Sequence, residues 1–331
     1  MQIRSRPLAA GDLDAVVAID ASITGRTRRS YFERRLAMAL LEPKLHAQYA
    51  VDDQGALAGY VLGRVLEGEF GRIEPAMRLE VVGVKHEARG RGIGLALEQA
   101  IEDASRRAGL KEMRTGASWR DHQMLGFLDA AGYRLGSNHV VDCRVADARL
   151  GSSEEESVVL EEHDRPGDRN DYGAVAPNDF EQLARDAAEV HSLGEADLEA
   201  VVRIDRRLTG HDRGEYMRHK FEEARNESAL RISLVAHKDG TTAGYLMATA
   251  DYGDFGRAEP VAIIDTIGVD PEFSHAGIGR ALLSQLFINL GALRVERVES
   301  VVAKEHFDLL GFLYRAGFGP AQRLAFVKNL G

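Results

Sequence analysis

The chain has 331 residues, 44 % of them hydrophobic, and a formal net charge of −10. At roughly 100–200 residues per domain, that length suggests two ordinary soluble domains. The acidic balance argues against general nucleic-acid binding, which needs a basic face. A single cysteine, Cys143, excludes an intrachain disulfide and a Cys-based metal site, and reads as an inert buried thiol.

The N-terminus, Met1-Gln2-Ile3-Arg4-Ser5-Arg6, lacks the apolar core of a signal peptide. No later apolar run approaches the roughly 18 residues of a membrane span, so the cytoplasm is the expected location. Residues 3–6 read as a short strand. Asp12 stands where a helix N-cap belongs, and Leu13, Val16, Val17 and Asp20 open a helix with i, i+3, i+4 spacing. A second helical stretch covers residues 28–41. Strand patterns follow at 47–51 and 57–66, separated by the turn signal Asp52-Asp53-Gln54-Gly55. Phe70-Gly71-Arg72-x-Glu74-Pro75 reads as a structural turn with an Arg–Glu pair, or as part of an acceptor pocket. A strand over 78–84 leads into a Gly-rich turn. The next helix shows one face at Leu97, Ile101 and Ala104. A strand at 112–116, a short helix and a last strand at 140–145 complete the series, with Trp119 expected to serve packing. Residues 147–178 are acidic, poor in aromatics and rich in breakers, which predicts a solvated connector.

The series then repeats. Asp12-Leu13-Asp14-Ala15-Val16-Val17 returns as Asp197-Leu198-Glu199-Ala200-Val201-Val202, 185 positions on. Thr24-Gly25 returns as Thr209-Gly210, Phe70-Gly71-Arg72 as Phe255-Gly256-Arg257, and Gly92-Ile93-Gly94 as Gly277-Ile278-Gly279. Over residues 12–35, 11 of 24 positions are identical. The period is far longer than the roughly 20–50 residues of a solenoid, so whole domains are duplicated. The expected division is 1–146, an acidic linker 147–184, and 185–331. In the second repeat Leu283, Leu286, Phe287 and Leu290 form a cleaner helix stripe, followed by strands at 295–301 and 323–327. The fold class is α/β: two tandem domains, each a mixed, mostly antiparallel sheet flanked by helices.

The turn is the element that bears chemistry. It reads Val84-Lys85-His86-Glu87-Ala88-Arg89-Gly90-Arg91-Gly92-Ile93-Gly94 in the first repeat. In the second it reads Val269-Asp270-Pro271-Glu272-Phe273-Ser274-His275-Ala276-Gly277-Ile278-Gly279. Glycines let the backbone approach a ligand, and the free amides of the following helix make an anion site. A dinucleotide fingerprint is excluded, because Leu97 stands at its third glycine. A Walker A loop is excluded because no Lys-Ser/Thr pair follows.

With strand and helix on either side, Arg89-Gly90-Arg91-Gly92-Ile93-Gly94 resembles the R/Q-x-x-G-x-G/A motif of the GCN5-related N-acetyltransferases. Val269-Asp270-Pro271 is similar to that family's lead-in. Its closing signature is matched by Phe312-Leu313-Tyr314-Arg315-Ala316-Gly317-Phe318, and by Phe127 with Gly132-Tyr133. The resemblance covers both repeats and implies a tandem acetyltransferase with acetyl-coenzyme A as cosubstrate. Its pantetheine would lie along Val82–Val84 or Ile267–Val269 like an added strand. Its diphosphate would sit on the amides of Arg89, Gly90, Arg91, Gly92, Ile93 and Gly94, or of Ser274, His275, Ala276, Gly277, Ile278 and Gly279.

A protonated amine is no nucleophile, so a base must relieve it of a proton. Glu80 and Asp265 are the equivalent carboxylates four residues before Val84 and Val269. Strand parity places them on the valines' face, as a general base or as carboxylates at the cleft edge. The resemblance also implies a Tyr acid where this chain has Leu128 and Leu313; Tyr314 is one place along, and Asp129 holds that place in the first repeat. Ser274 and His275 replace the Arg or Gln and the first Gly in the second repeat. The expected activity is N-acetyl transfer to an amine of a small molecule or protein by direct attack. The alternatives are an acetyl-coenzyme A-binding regulatory module, or one active domain on a degenerate scaffold. The eleven histidines show no metal-ligand spacing, so no metal is expected; nor is a nucleic-acid or membrane partner. A monomer or homodimer is expected, its two repeats docked as a pseudo-symmetric pair.

Overall fold

The two-residue hairpin turns of both repeats form as their sequence dictates. Gln54 and Gly55 take φ of 52° and 80°, and Asp239 and Gly240 take 52° and 73°. Paired left-handed residues give a two-residue turn the twist of its strands. The structure, a computed structural model, describes residues 3–66, 74–149, 188–226, 232–251 and 261–331. The loop at Phe70-Gly71-Arg72, its counterpart from Phe255, and the acidic connector beyond Arg149 lie outside the described residues. Glu74 is described, and it pairs with Lys111 at 3.0 Å.

The first repeat runs β1 (Ser5–Pro7), α1 (Leu13–Thr24), α2 (Arg29–Leu41), β2 (His46–Asp53), β3 (Ala56–Leu66), β4 (Ala76–Val84), α3 (Ile93–Arg107), β5 (Glu112–Ser118), α4 (His122–Ala130), β6 (Arg134–Leu135) and β7 (His139–Arg144). The second runs β8 (Glu189–Ser192), α5 (Leu198–Thr209), α6 (Gly214–Asn226), β9 (Leu234–Lys238), β10 (Thr241–Asp251), β11 (Val261–Val269), α7 (Ile278–Ala292), β12 (Arg297–Val302), α8 (Phe307–Arg315), β13 (Gly319–Pro320) and β14 (Arg323–Asn329). No helix among them is long and apolar enough to cross a membrane.

Two seven-stranded sheets form, in the orders β1-β2-β3-β4-β5-β14-β6 and β8-β9-β10-β11-β12-β7-β13. Among the described residues, only β4–β5 and β11–β12 are parallel. The last long strand of each repeat, expected in its own sheet, lies in the other one. β14 pairs with β5 from Arg323↔Ser118 to Asn329↔Glu112, and β7 pairs with β12 from His139↔Val302 to Arg144↔Arg297. The exchange is reciprocal and keeps register: Lys328 faces Met113 where, 185 positions away, Cys143 faces Val298.

Each sheet carries helices on both faces. Leu97 and Ile101 of α3 bury against Leu79 and Met113, while Val16 and Ile19 of α1 with Phe32 of α2 bury against Tyr60 and Val81. The second repeat copies both layers: Leu283, Leu286, Phe287 and Leu290 of α7 lie on one face, and Val201 and Ile204 of α5 on the other. The predicted stripes of both long helices are thus core. Cys143 is buried in the second sheet's core, where burial pushes its thiol up to about 11. That is an inert thiol. Trp119, expected in packing, is instead 47 % exposed, with Arg120 stacked on its ring.

Candidate functional site

The site begins where two parallel strands part. β4 pairs with β3 along its whole length, but with β5 only at Met77↔Met113 and Arg78↔Arg114. β11 and β12 likewise part after Ile264↔Ser300. A hydroxyl marks the fork in both: Thr115 Oγ1 donates to the Leu79 carbonyl at 2.9 Å, and Ser300 Oγ to the Ile264 carbonyl at 3.3 Å. Beyond it, Val82–Val84 and Ile267–Val269 present a strand edge to an open gap. Such an edge takes an extended, amide-bearing ligand as one more strand.

The gap leads to the Gly-rich turn. Gly90 and Gly92 take φ of 75° and 85°, which turns the chain sharply into α3. Among the described residues, nothing accepts a hydrogen bond from the amides of residues 90–95. With the helix dipole behind them they form an anion cradle. The Arg89 amide is not part of it, because it donates to the His86 carbonyl at 3.3 Å. In the second repeat the Ser274 amide is likewise committed, to Pro271 at 3.2 Å, and so is that of Ala276, to Phe273 at 3.3 Å. His275 holds φ at 61° where the first repeat has Gly90, a conformation costing roughly 1 kcal/mol for a residue with a Cβ. The turn shape survives; the cradle is smaller and more strained. Side chains follow the same trend. Arg89 Nε reaches the Val84 carbonyl at 3.3 Å, and Arg91, more than half exposed, pairs with Asp53 at 3.0 Å.

The two carboxylates face the other way from the expectation. β3 and β4 keep register to Leu62↔Val81, then resume at Gly63↔Leu79. Glu80 is the extra residue of a β-bulge, as Asp265 is between Met247↔Thr266 and Ala248↔Ile264. A bulge shifts strand parity by one. Leu79 therefore shares the α3 face with Val82 and Val84, while Glu80 points with Val81 toward α1 and α2. There it forms a buried ion pair with Arg35, and Arg64 Nε lies 3.3 Å from its second oxygen. Asp265 meets Lys220, the equivalent of Arg35, at 3.5 Å. Beside each pair lies a second buried network. Arg28 Nε binds Asp20 at 2.8 Å, and Tyr60 donates to the same carboxylate at 3.3 Å. Arg213, Asp205 and Tyr245 repeat this at 2.9 and 2.7 Å. Asp20, Arg28 and Tyr60 are identical in both repeats, a signal that the sequence offered.

A sequence model of the acetyltransferase (GNAT) family matches residues 14–133 and again 198–318. The chain belongs to the GNAT family. No curated protein matches it at a significant level. Its whole fold is shared by a tandem GNAT protein from the clavulanic acid biosynthesis pathway, at 18 % identity and a TM-score of 0.63, over 100 % of this chain and 99 % of that one. A GCN5-related N-acetyltransferase from Sphaerobacter thermophilus aligns over 99 % of this chain and 96 % of its own, with 16 % identity and a TM-score of 0.56. A glucosamine N-acetyltransferase region in a fungal multi-domain GH3 beta-N-acetylglucosaminidase aligns over 98 % of this chain, with 14 % identity and a TM-score of 0.62; the chain spans only 38 % of that enzyme. Identities this low show fold alone.

The two GNAT units are unequal. Between them lies a cavity of about 230 Å³ that touches both forks, at Thr115 and at Ile264. Arg78 and Arg323 line one side; Asp265 and Glu299 line the other. Glu80 is not among the lining residues. Tyr314 does not face the second turn. Phe312 does, because a Cβ on Gly279 would meet its ring at 3.2 Å. Two residues on, about 200° around the helix, Tyr314 stands 41 % exposed.

Proposed function

We propose that the chain transfers an acetyl group from acetyl-coenzyme A to an amine of a small molecule or protein, and that the second GNAT unit performs the chemistry. The first unit keeps the better cofactor cradle. The observation that carries this division is the contrast between the carboxylates: Asp265 lines the shared cavity, whereas both oxygens of Glu80 are committed to arginines.

In this reading the pantetheine lies along Ile267–Val269 and delivers the thioester to the fork at Ile264. An amine entering the cavity attacks the thioester carbonyl. The C–N bond forms, the C–S bond breaks, and the amine's proton passes to Asp265. The leaving thiolate has a conjugate acid of pKa ~8.5 and departs without a strong acid, so Tyr314 is not needed near it. A second reading, a module that binds acetyl-coenzyme A without turnover, is favoured by the outward Tyr314.

Coenzyme A release across a panel of alkyl, aromatic and peptidyl amines separates the two. Gly277→Asp places a side chain and a negative charge in the second cradle and should abolish release. Gly92→Asp should remove the tighter of the two cofactor-binding events expected in calorimetry and leave release largely intact. Loss of turnover with Gly92→Asp alone would assign the chemistry to the first unit. Failure of the unmodified protein to bind coenzyme A would end the acetyltransferase reading altogether.

A further inference from the structure

One corner of the molecule is built from the same three positions in both repeats, with different chemistry. In the first, Arg6 of β1 bridges two carboxylates. Its Nη1 binds Asp12 at 2.7 Å, and its Nε binds Asp52 at 2.7 Å. Asp12 caps the short 3-10 turn that leads into α1, accepting from the Ala9 amide at 2.7 Å. The equivalent positions, 185 on, are His191, Asp197 and His237. Asp197 keeps the capping role, accepting from the Gly194 amide at 2.9 Å through Oδ2. Its Oδ1 remains directed at His237, 3.4 Å from Nε2. His191 and His237 are 46 residues apart in sequence, but the register Glu189↔His237 and His191↔Val235 makes them diagonal neighbours on one face. Their rings lie 4.7 Å apart. One ligand atom from each of the three residues falls within 4.8 Å of the others.

The second repeat has thus lost the resident cation of the first and one of its two carboxylates. In their place it has two imidazoles converging on the carboxylate that both repeats retain. We infer that His191, Asp197 and His237 bind a divalent transition-metal ion, of which zinc is the type, where the first repeat holds the Arg6 guanidinium. A two-nitrogen, one-oxygen set suits zinc, cobalt or nickel and disfavours magnesium and calcium, which take oxygen ligands. With metal–ligand bonds of ~2.0 Å, the donor atoms of a tetrahedral site stand about 3.3 Å apart. The exposed side chain of His191 on its edge strand can close that difference by rotating. Asp197 is already fixed by its capping bond, as a ligating carboxylate is by its outer partners. Thr242 Oγ1 sits 3.0 Å from His237 Nε2 and supplies a further oxygen at the same corner. The ion would tie β8, β9 and the start of α5 together, as Arg6 ties β1, β2 and α1. The sequence hides the site because its three residues meet only across strands.

The test uses the full chain after dialysis against a chelator. Titration with Co²⁺ should give one equivalent with visible ligand-field absorption, displaced by Zn²⁺, and Zn²⁺ should raise the melting temperature. His191→Ala and His237→Ala should each weaken Co²⁺ binding at least tenfold, while His211→Ala, a surface control, should not. The double variant His191→Arg with His237→Asp recreates the first repeat's set. It should melt as high without metal as the parent does with it, and should lose the cobalt spectrum. Cobalt binding undiminished in both alanine variants would overturn the proposal. So would a chelated protein whose melting temperature zinc leaves unchanged at pH 7.5.

Discussion

At the scale of single residues, equivalent positions have been given different duties. Glu80 and Asp265 occupy the same bulge, yet the first is sealed by Arg35 and Arg64 and the second meets Lys220 beside a cavity. Removing the charge should therefore do different things. Asp265→Asn should lower kcat by ~10²–10⁴-fold and leave acetyl-coenzyme A affinity nearly unchanged, the mark of a lost general base. Glu80→Gln removes the carboxylate charge facing buried Arg35 and half-buried Arg64 and should cost about 3 kcal/mol of stability, with little change in the pH–rate profile. Steady-state kinetics and thermal melts on both variants check this. A kinetic loss in Glu80→Gln that equals that of Asp265→Asn would restore Glu80 to the chemistry. The position of both carboxylates was legible in the sequence; their direction was not. Parity counting assumes a regular strand, and the bulge that breaks it leaves no residue signature in Glu80-Val81 or Asp265-Thr266.

At the scale of elements, the exchange of β7 and β14 is written in four positions. Lys328 of β14 binds Glu98 of α3 at 2.9 Å and also contacts Glu102, and it lies 5.8 Å from the centre of the Tyr133 ring. Both glutamates are buried, and burial raises the carboxyl of Glu98 above its usual range despite the lysine. The equivalents of Glu98, Glu102, Tyr133 and Lys328 are Leu283, Phe287, Phe318 and Cys143, an apolar cluster. Returned to its own sheet, β14 would bury a lysine among Leu283, Phe287 and Phe318. β7 would put Cys143 over two glutamates, leaving Glu98 without its lysine and Glu102 with Arg106 alone. Either placement leaves buried charge uncompensated, at several kcal/mol. Lys328→Met should thus destabilise the chain by ~3–5 kcal/mol at neutral pH. The deficit should shrink on acidification. A carboxyl whose folded pKa is raised contributes stability below its unfolded pKa and loses it as pH rises through the folded value. Denaturant midpoints between pH 4 and 8 read this directly; a pH-independent deficit would refute it. The turn, the helix stripes and the hairpins could be read locally from the chain. The exchange could not, because β7 and β14 have the same strand pattern. The clue was the joint change at four places 185 residues apart, which local periodicity does not report.

At the scale of the molecule, reciprocal exchange makes two domains into one cooperative unit. The first sheet is incomplete without residues 323–329, and the second without residues 139–144. A chain cut at the connector should show this. Residues 1–149 alone would leave the edge of β5 unpaired, and Glu98 and Glu102 without Lys328. Returning β7 to its own sheet replaces that lysine with Cys143, so self-closure carries the charge penalty already described. Residues 188–331 alone lack the strand that brings Cys143, and closing on β14 instead would bury Lys328. Each fragment should therefore expose a long strand edge, which favours aggregation. The first should be the more pH-sensitive of the two. Expressed together, the fragments should associate with one-to-one stoichiometry and recover the acetyl-coenzyme A affinity of the intact chain. The intact chain should unfold in a single transition by circular dichroism and by calorimetry alike. A first fragment that is monomeric, folded and competent for cofactor by itself would show that the exchange is dispensable. Two separate unfolding transitions in the intact chain would show that the sheets, although they trade strands, do not share their stability.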